Sequence, residues 1–257
     1  MKKLLLSALS LGLVAVVAVF ATQAFFSDEE TSVGNNFTAG AVDLLVDSEQ
    51  HYNGNVCQLV TLPEQGGQVY QWVGNFPYPV PGNPCTGTWD SKNLTLERFF
   101  DFSDVKPGDY GENTISLTVK DNDSWLCAYV ENLANNDNGL TEPESAVDGD
   151  DGVGFGELQD AIKLKIWWDV SDEDEAEACD NIWQDEELVL VDGATIDSNN
   201  GVWPLGQIKG GVKTCLGVGW SLPGTTGNEV QTDSVSGDIG FYVEQVRNNP
   251  NFVCPVR

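Results

Sequence analysis

The sequence predicts an all-β protein, a jelly-roll-like β-sandwich with long loops and at most short helices. Three observations carry this. Apolar and polar residues alternate with period two in one segment after another, these segments are rich in β-branched and aromatic residues, and clusters of Gly, Pro, Asn and Asp separate them. Sustained helical periodicity is nearly absent, and no repeat of fixed period points to a solenoid or propeller.

The first element in the chain is not a strand. Lys2 and Lys3 precede an unbroken apolar run that ends in small residues at Thr22 and Ala24, the pattern of an export signal over residues 1–24. About 20 apolar residues can also span a bilayer, so a retained anchor is the competing reading; the small residues favour cleavage after Ala24. Residues 25–257 then read as one sandwich domain. "TAGAVDLLV" is its front strand, and "NTISLTVK" is the clearest strand of all, with Ile115, Leu117 and Val119 on one face and Thr114, Ser116, Thr118 and Lys120 on the other. Pro107 and Gly108 supply the turn before it. "WLCAYVENL", "AIKLKIWW", "EELVLVDG", "VKTCLGVGWSL" and "DIGFYVEQV" continue the series. "FGELQDAI" and "DEDEAEACDNI" are the two candidate short helices, and "NFPYPVPGNPCTG", "NLANNDNGLTEPESAVDGDDGVG" and "DGATIDSNNGVWPLG" read as long loops.

The formal charge of −28 becomes −30 without Lys2 and Lys3. So acidic a chain repels nucleic acid and anionic lipid, which removes both as partners. Cys57, Cys85, Cys127, Cys179, Cys215 and Cys254 are six cysteines with no CxxC pair, and in an exported chain an even number points to disulfides rather than metal thiolates. Pairing Cys57 with Cys85 would staple the Gly/Pro-rich insert between them; the other pairings stay open.

Catalytic residues are in short supply. His51 is the single histidine and lies in "SEQHYNGN"; no GxSxG elbow marks a partner serine, and HExxH is absent. The expectation is therefore no enzyme. Carboxylates are the one plentiful ligand type, and hard oxygen donors suit calcium better than zinc. One acidic cluster holds Asp169, Asp172, Asp174 and Asp180, with Asn181 and Glu186 nearby; a weaker one, "DGDDGVG", holds Asp148, Asp150 and Asp151. Neither has EF-hand spacing, so a solvated acidic loop competes with a calcium site at each. No other cofactor is expected. The sequons at Asn36, Asn93 and Asn122 are read as incidental, and Trp125, Trp167, Trp168 and Trp220 as sheet packing rather than a sugar platform.

The order of several blocks carries more. An apolar signal followed by "AFFSDEETSVGNNFTAGAVDL", then "FSDVKPGDYGENTISLTVKDNDSWLCAYV", "IKLKIWWDVSDEDE", "VWPLG" and "NEVQTDSVSGDIGFYVEQVRNNPNFVC", resembles the camelysin/TasA family of exported proteins over most of the chain. The resemblance implies a jelly-roll-like sandwich, processing by a SipW-type signal peptidase, and a secreted or cell-surface subunit of a biofilm-matrix fibre. It also implies self-assembly into a homopolymer, with an anchor or nucleating protein as a further partner, by donation of the mature N-terminal segment, residues 25–40, to the next subunit. On that reading Phe25, Phe26, Val33 and Phe37 are assembly anchors and residues 34–36 the hinge, whereas Val42 and Leu44 fit better in the protein's own first strand. The alternatives are a camelysin-like surface metalloendopeptidase, for which one histidine without HExxH is poor equipment, and a monomeric calcium-dependent adhesion domain.

Overall fold

The computed structural model describes residues 27–32 as backbone, and residues 43–62, 66–170 and 178–256 in full. Two antiparallel sheets face one another across an apolar core, which is the jelly-roll-like sandwich expected. The strands are β1 (Ser27–Ser32), β2 (Leu44–Tyr52), β3 (Asn55–Thr61), β4 (Gln68–Val73), β5 (Trp89–Lys92), β6 (Tyr110–Val119) and β7 (Ser124–Asp137). They continue with β8 (Gly152–Val153), β9 (Lys163–Trp168), β10 (Val189–Ala194), β11 (Val202–Ile208), β12 (Lys213–Ser221) and β13 (Ser234–Gln245). One sheet runs β1-β13-β7-β11 with β8 paired to β7; the other runs β10-β9-β12-β6-β2-β3-β4 with β5 paired to β2.

Period-two alternation explains how the sheets close on each other. Ile115, Leu117 and Val119 of β6 lie inside with Leu44 and Val46 of β2, opposite Leu126 and Ala128 of β7 and Phe241 and Val243 of β13. Each of the fully buried Val, Leu, Ile and Phe side chains contributes roughly 1.5–3 kcal/mol. A second cluster, around Tyr52, Trp72, Trp220 and Leu222, fills the space beneath the insert that Cys57–Cys85 staples. Leu44 is fully buried in β2, so it belongs to its own subunit's first core strand.

Several elements depart from the sequence reading. Thr114 and Ser116, expected to face solvent, are buried, because the segment after β9 folds back over the outer face of the sheet. There the Thr114 hydroxyl donates to Asp169 Oδ2 at 3.3 Å, and Ser116 lies 3.3 Å from Cys215 Sγ, which is bonded to Cys179. β11 occupies part of a stretch read as loop; its Pro204 is tolerated because β11 is a sheet edge, where a missing N–H costs no ladder bond, and the pairing with β7 shifts register between Pro204 and Gly206. β7 runs on to Asp137, through residues also read as loop. Of the candidate helices, "FGELQDAI" shrinks to the four-residue α1 (Leu158–Ala161). The described end of "DEDEAEACDNI" is turn rather than helix, with φ of 61° at Cys179 and 66° at Asn181, outside the helical region.

Strand glycines accommodate large neighbours across the ladder. Gly111, Gly217 and Gly240 pair directly with Trp220, Trp167 and Tyr129, and each aromatic ring lies over the glycine it faces. Trp167 and Trp220 are buried this way, and Trp125 stacks on Phe252 with ring centroids 5.9 Å apart. These residues are packing residues, as the sequence indicated for the tryptophans.

Candidate functional site

Two features of the fold have functional potential: the edge occupied by β1 and a set of buried carboxylates. β1 is the outermost strand of its sheet. It pairs antiparallel with β13 from Ser27↔Glu244 to Ser32↔Ile239. Its sequence, Ser-Asp-Glu-Glu-Thr-Ser, has no apolar residue, so what it offers β13 is a backbone ladder. Without β1, the N–H and C=O groups along that side of β13 would form an open edge. Phe25, Phe26, Val33 and Phe37 lie outside the described residues.

The C-terminal tail fastens β7 and β13. Cys254 is bonded to Cys127 of β7, and Phe252 stacks between Trp125 and Tyr242, with centroids 5.9 and 6.2 Å away. The Trp125 indole N–H donates to the Asn249 carbonyl at 2.9 Å. With Cys57–Cys85 and Cys179–Cys215 this makes three disulfides and no free cysteine among the described residues, an arrangement that fits an oxidising compartment. No described helix is long and apolar enough to cross a membrane.

Compared with known proteins, the chain matches no family model and no curated relative.

Of the predicted calcium ligands, Asp169 and Asp180 come together, while Asp172 and Asp174 lie outside the described residues. Asp169 is fully buried, and both its oxygens are used. Oδ1 accepts from the Asp180 N–H at 3.2 Å, and Oδ2 from the Asn181 N–H at 3.0 Å and the Thr114 hydroxyl. Burial raises its pKa, and the three backbone donors around it oppose the rise. Its visible work is to fold the 178–181 turn against β6.

His51 sits on β2 between two carboxylates, with Nε2 3.1 Å from Glu49 Oε1 and Nδ1 3.8 Å from Glu112 Oε1. Burial pushes the Glu112 carboxyl up to about 7; His51 pulls it down, and Asp169 and Asp180 push it further up. Because this folded-state value lies above the ordinary 4.5, the protonated group costs nothing at low pH, and stability is lost as pH rises through about 7. Glu112→Gln is therefore expected to leave Tm unchanged near pH 4.5 and to stabilise the protein by about 1–3 kcal/mol at pH 8. Thermal melts of both proteins at the two pH values check this; a stability difference that does not grow with pH would refute it.

A third set of carboxylates was not singled out from the sequence. Asp137 at the end of β7, Glu144 in the following loop and Asp233 just before β13 offer oxygens that all lie within 4.8 Å of one another. Asp148, from the weaker of the two acidic stretches, and Glu157 lie close enough for their charges to act on the group: burial, then Asp148 and Asp233, raises the pKa of Glu157. Asp150 and Asp151 are exposed. Asp148 was the one signal in the sequence pointing here, because the other members are separated by as much as 96 positions, from Asp137 to Asp233.

Proposed function

We propose that this protein is an exported structural subunit of an extracellular or cell-surface fibre of the biofilm-matrix kind, without catalytic activity, in which the N-terminal strand of one subunit completes the sheet of the next. The observation that supports it is the position of β1, a peripheral strand bound to β13 through its backbone and joined to β2 by residues 33–43. A ladder of this kind is indifferent to which molecule supplies the strand. Eleven linking residues reach up to about 38 Å when extended, enough to lay β1 on a neighbour's β13 instead of its own. The same groups pair in either case, each net hydrogen bond contributing about 0.5–1.5 kcal/mol. The apolar residues on either side of β1, Phe26 before it and Val33 after it, would add side-chain burial in the neighbour's groove. A head-to-tail contact of this type does not close on itself, so it propagates as a filament. The sequence resemblance to camelysin/TasA proteins and the suitability of three disulfides for an oxidising compartment support the same reading.

The test is negative-stain electron microscopy of the oxidised protein beginning at Phe25 beside a chain beginning at Gly40. Filaments are expected from the first and monomers only from the second. Filaments from both, or from neither under any salt or calcium condition, would overturn strand donation.

A further inference from the structure

The carboxylates at the β7–β13 end of the sandwich share a pattern that a solvated acidic surface does not produce. Glu144 is 0% exposed and Asp137 3% exposed. Each has one oxygen anchored by the protein and one with no partner. Asp137 Oδ1 accepts from the Gly139 N–H at 2.9 Å, leaving Oδ2 buried and unpaired. Glu144 Oε2 accepts from the Thr141 N–H at 3.1 Å, leaving Oε1 buried and unpaired, while the Thr232 hydroxyl beside both carboxylates donates to the Gly139 carbonyl at 2.6 Å. Asp233 Oδ2 accepts from the Glu157 and Leu158 N–H groups at 2.6 and 2.9 Å, leaving Oδ1 buried and unpaired. Asp148 repeats the pattern at the margin, with Oδ1 accepting from the Gly149 N–H at 2.7 Å and Oδ2 unpaired, and Glu157 Oε2 is likewise buried and unpaired. Among the described residues no Lys, Arg or His forms an ion pair with any of the five.

Buried polar oxygens without partners are rare in native proteins, and buried carboxylates without a counter-charge are costly. Three such carboxylates, each with an oxygen within 4.8 Å of the others, require either protons or a cation. The donor set, all carboxylate, excludes the soft and borderline metals that favour sulfur and imidazole. Calcium binds oxygens at about 2.3–2.6 Å, so its ligand atoms lie at most about 5 Å apart, which the 4.8 Å spread satisfies. Magnesium retains much of its water and is seldom held by an all-protein cage.

We propose that Asp137, Glu144 and Asp233 form a structural calcium site, with Asp148 and Glu157 supplying further oxygens, that locks the 138–151 loop onto the start of β13. The anchored oxygens hold each carboxylate in place before the ion arrives, and the unpaired ones receive it. This site is distinct from the Asp169 group, whose oxygens are already occupied by backbone and hydroxyl donors. It stands independently of the assembly reading, since it lies within one subunit.

The test uses the oxidised protein beginning at Phe25, its Glu144→Gln and Asp148→Asn variants, and Asp169→Asn as a control. Thermal melts are recorded in chelator, in calcium and in magnesium at equal concentration, and calcium affinity is measured by isothermal titration calorimetry. Calcium at 1 mM is expected to raise Tm by roughly 5–10 °C, magnesium by clearly less. Glu144→Gln should lose at least about 10-fold in calcium affinity. It should also melt above the parent protein in chelator and below it in calcium, because the substitution relieves repulsion in one case and deletes a ligand in the other. Asp148→Asn should weaken binding by less, and Asp169→Asn should leave the calcium response intact. No calcium response, an equal response to magnesium, or a calcium affinity unchanged by Glu144→Gln would each overturn the site.

Discussion

Replacing Cys127 and Cys254 together by serine is expected to destabilise the folded protein by about 4–5 kcal/mol and to lower Tm by roughly 10–20 °C. The sequence separation of 127 residues makes this bond the largest constraint on the unfolded chain, compared with separations of 28 and 36 for the other two disulfides. Cys179–Cys215 lies inside the same loop and shortens it, but loop entropy grows only logarithmically, so the reduction is small. The native side of the balance has the same sign. Without the bond, the tail loses its covalent attachment to β7 and retains only the Trp125–Phe252–Tyr242 stack and the Asn249 hydrogen bond. Denaturant titration of the double serine variant measures the loss. A change below about 1 kcal/mol would mean that the aromatic stack, rather than the disulfide, secures the tail.

Gly217→Val is expected to cost more than about 3 kcal/mol, or to prevent folding. A Cβ at Gly217 would lie 2.0 Å from the Trp167 ring, far inside contact distance. Trp167 is 2% exposed and directly opposite across the β12–β9 ladder, so the indole has nowhere to retreat. The clash makes the two positions interdependent. Trp167→Ala alone should cost about 3–5 kcal/mol by leaving a void. Combined with Gly217→Val, it should cost less than the sum of the two, with a coupling of about 1–3 kcal/mol that urea unfolding of the four proteins can resolve. Additive losses would show that the ring and the glycine do not share space.

What the sequence revealed followed from its periodicity. The inner face of β6 was legible because alternation over four or more residues is a local property, and the all-β class followed from such segments. The burial of Thr114 and Ser116 was not legible, since their cover comes from a segment some 55 or more residues further on and is held there by a disulfide. β11 was missed because a proline reads as an interruption until the strand is known to lie at an edge. The carboxylate group shows the same limit in the site. Asp137 ends one strand, Glu144 sits in a loop and Asp233 precedes another strand, and only the antiparallel pairing of β7 with β13 brings them together. Asp169 stood out in the sequence for its acidic neighbours, whereas its structural role is set by the N–H groups it accepts from.

The bond between Cys127 and Cys254 also determines how such a subunit would respond to pulling. In a strand-donated fibre, tension enters through the neighbour's strand on β13 and leaves through residue 43. Antiparallel strands loaded end to end resist in shear, many hydrogen bonds at once, until one subunit yields. The residues between the two cysteines include β13 and most of β7, and the bond closes them into a loop. If the sheet ruptured, that loop could not pay out its slack, and, beyond the 36 residues that Cys179–Cys215 already closes off, an extension of roughly 310 Å, at about 3.4 Å per residue, would be withheld. The disulfide would then act as a stop that keeps an overloaded subunit short and able to refold.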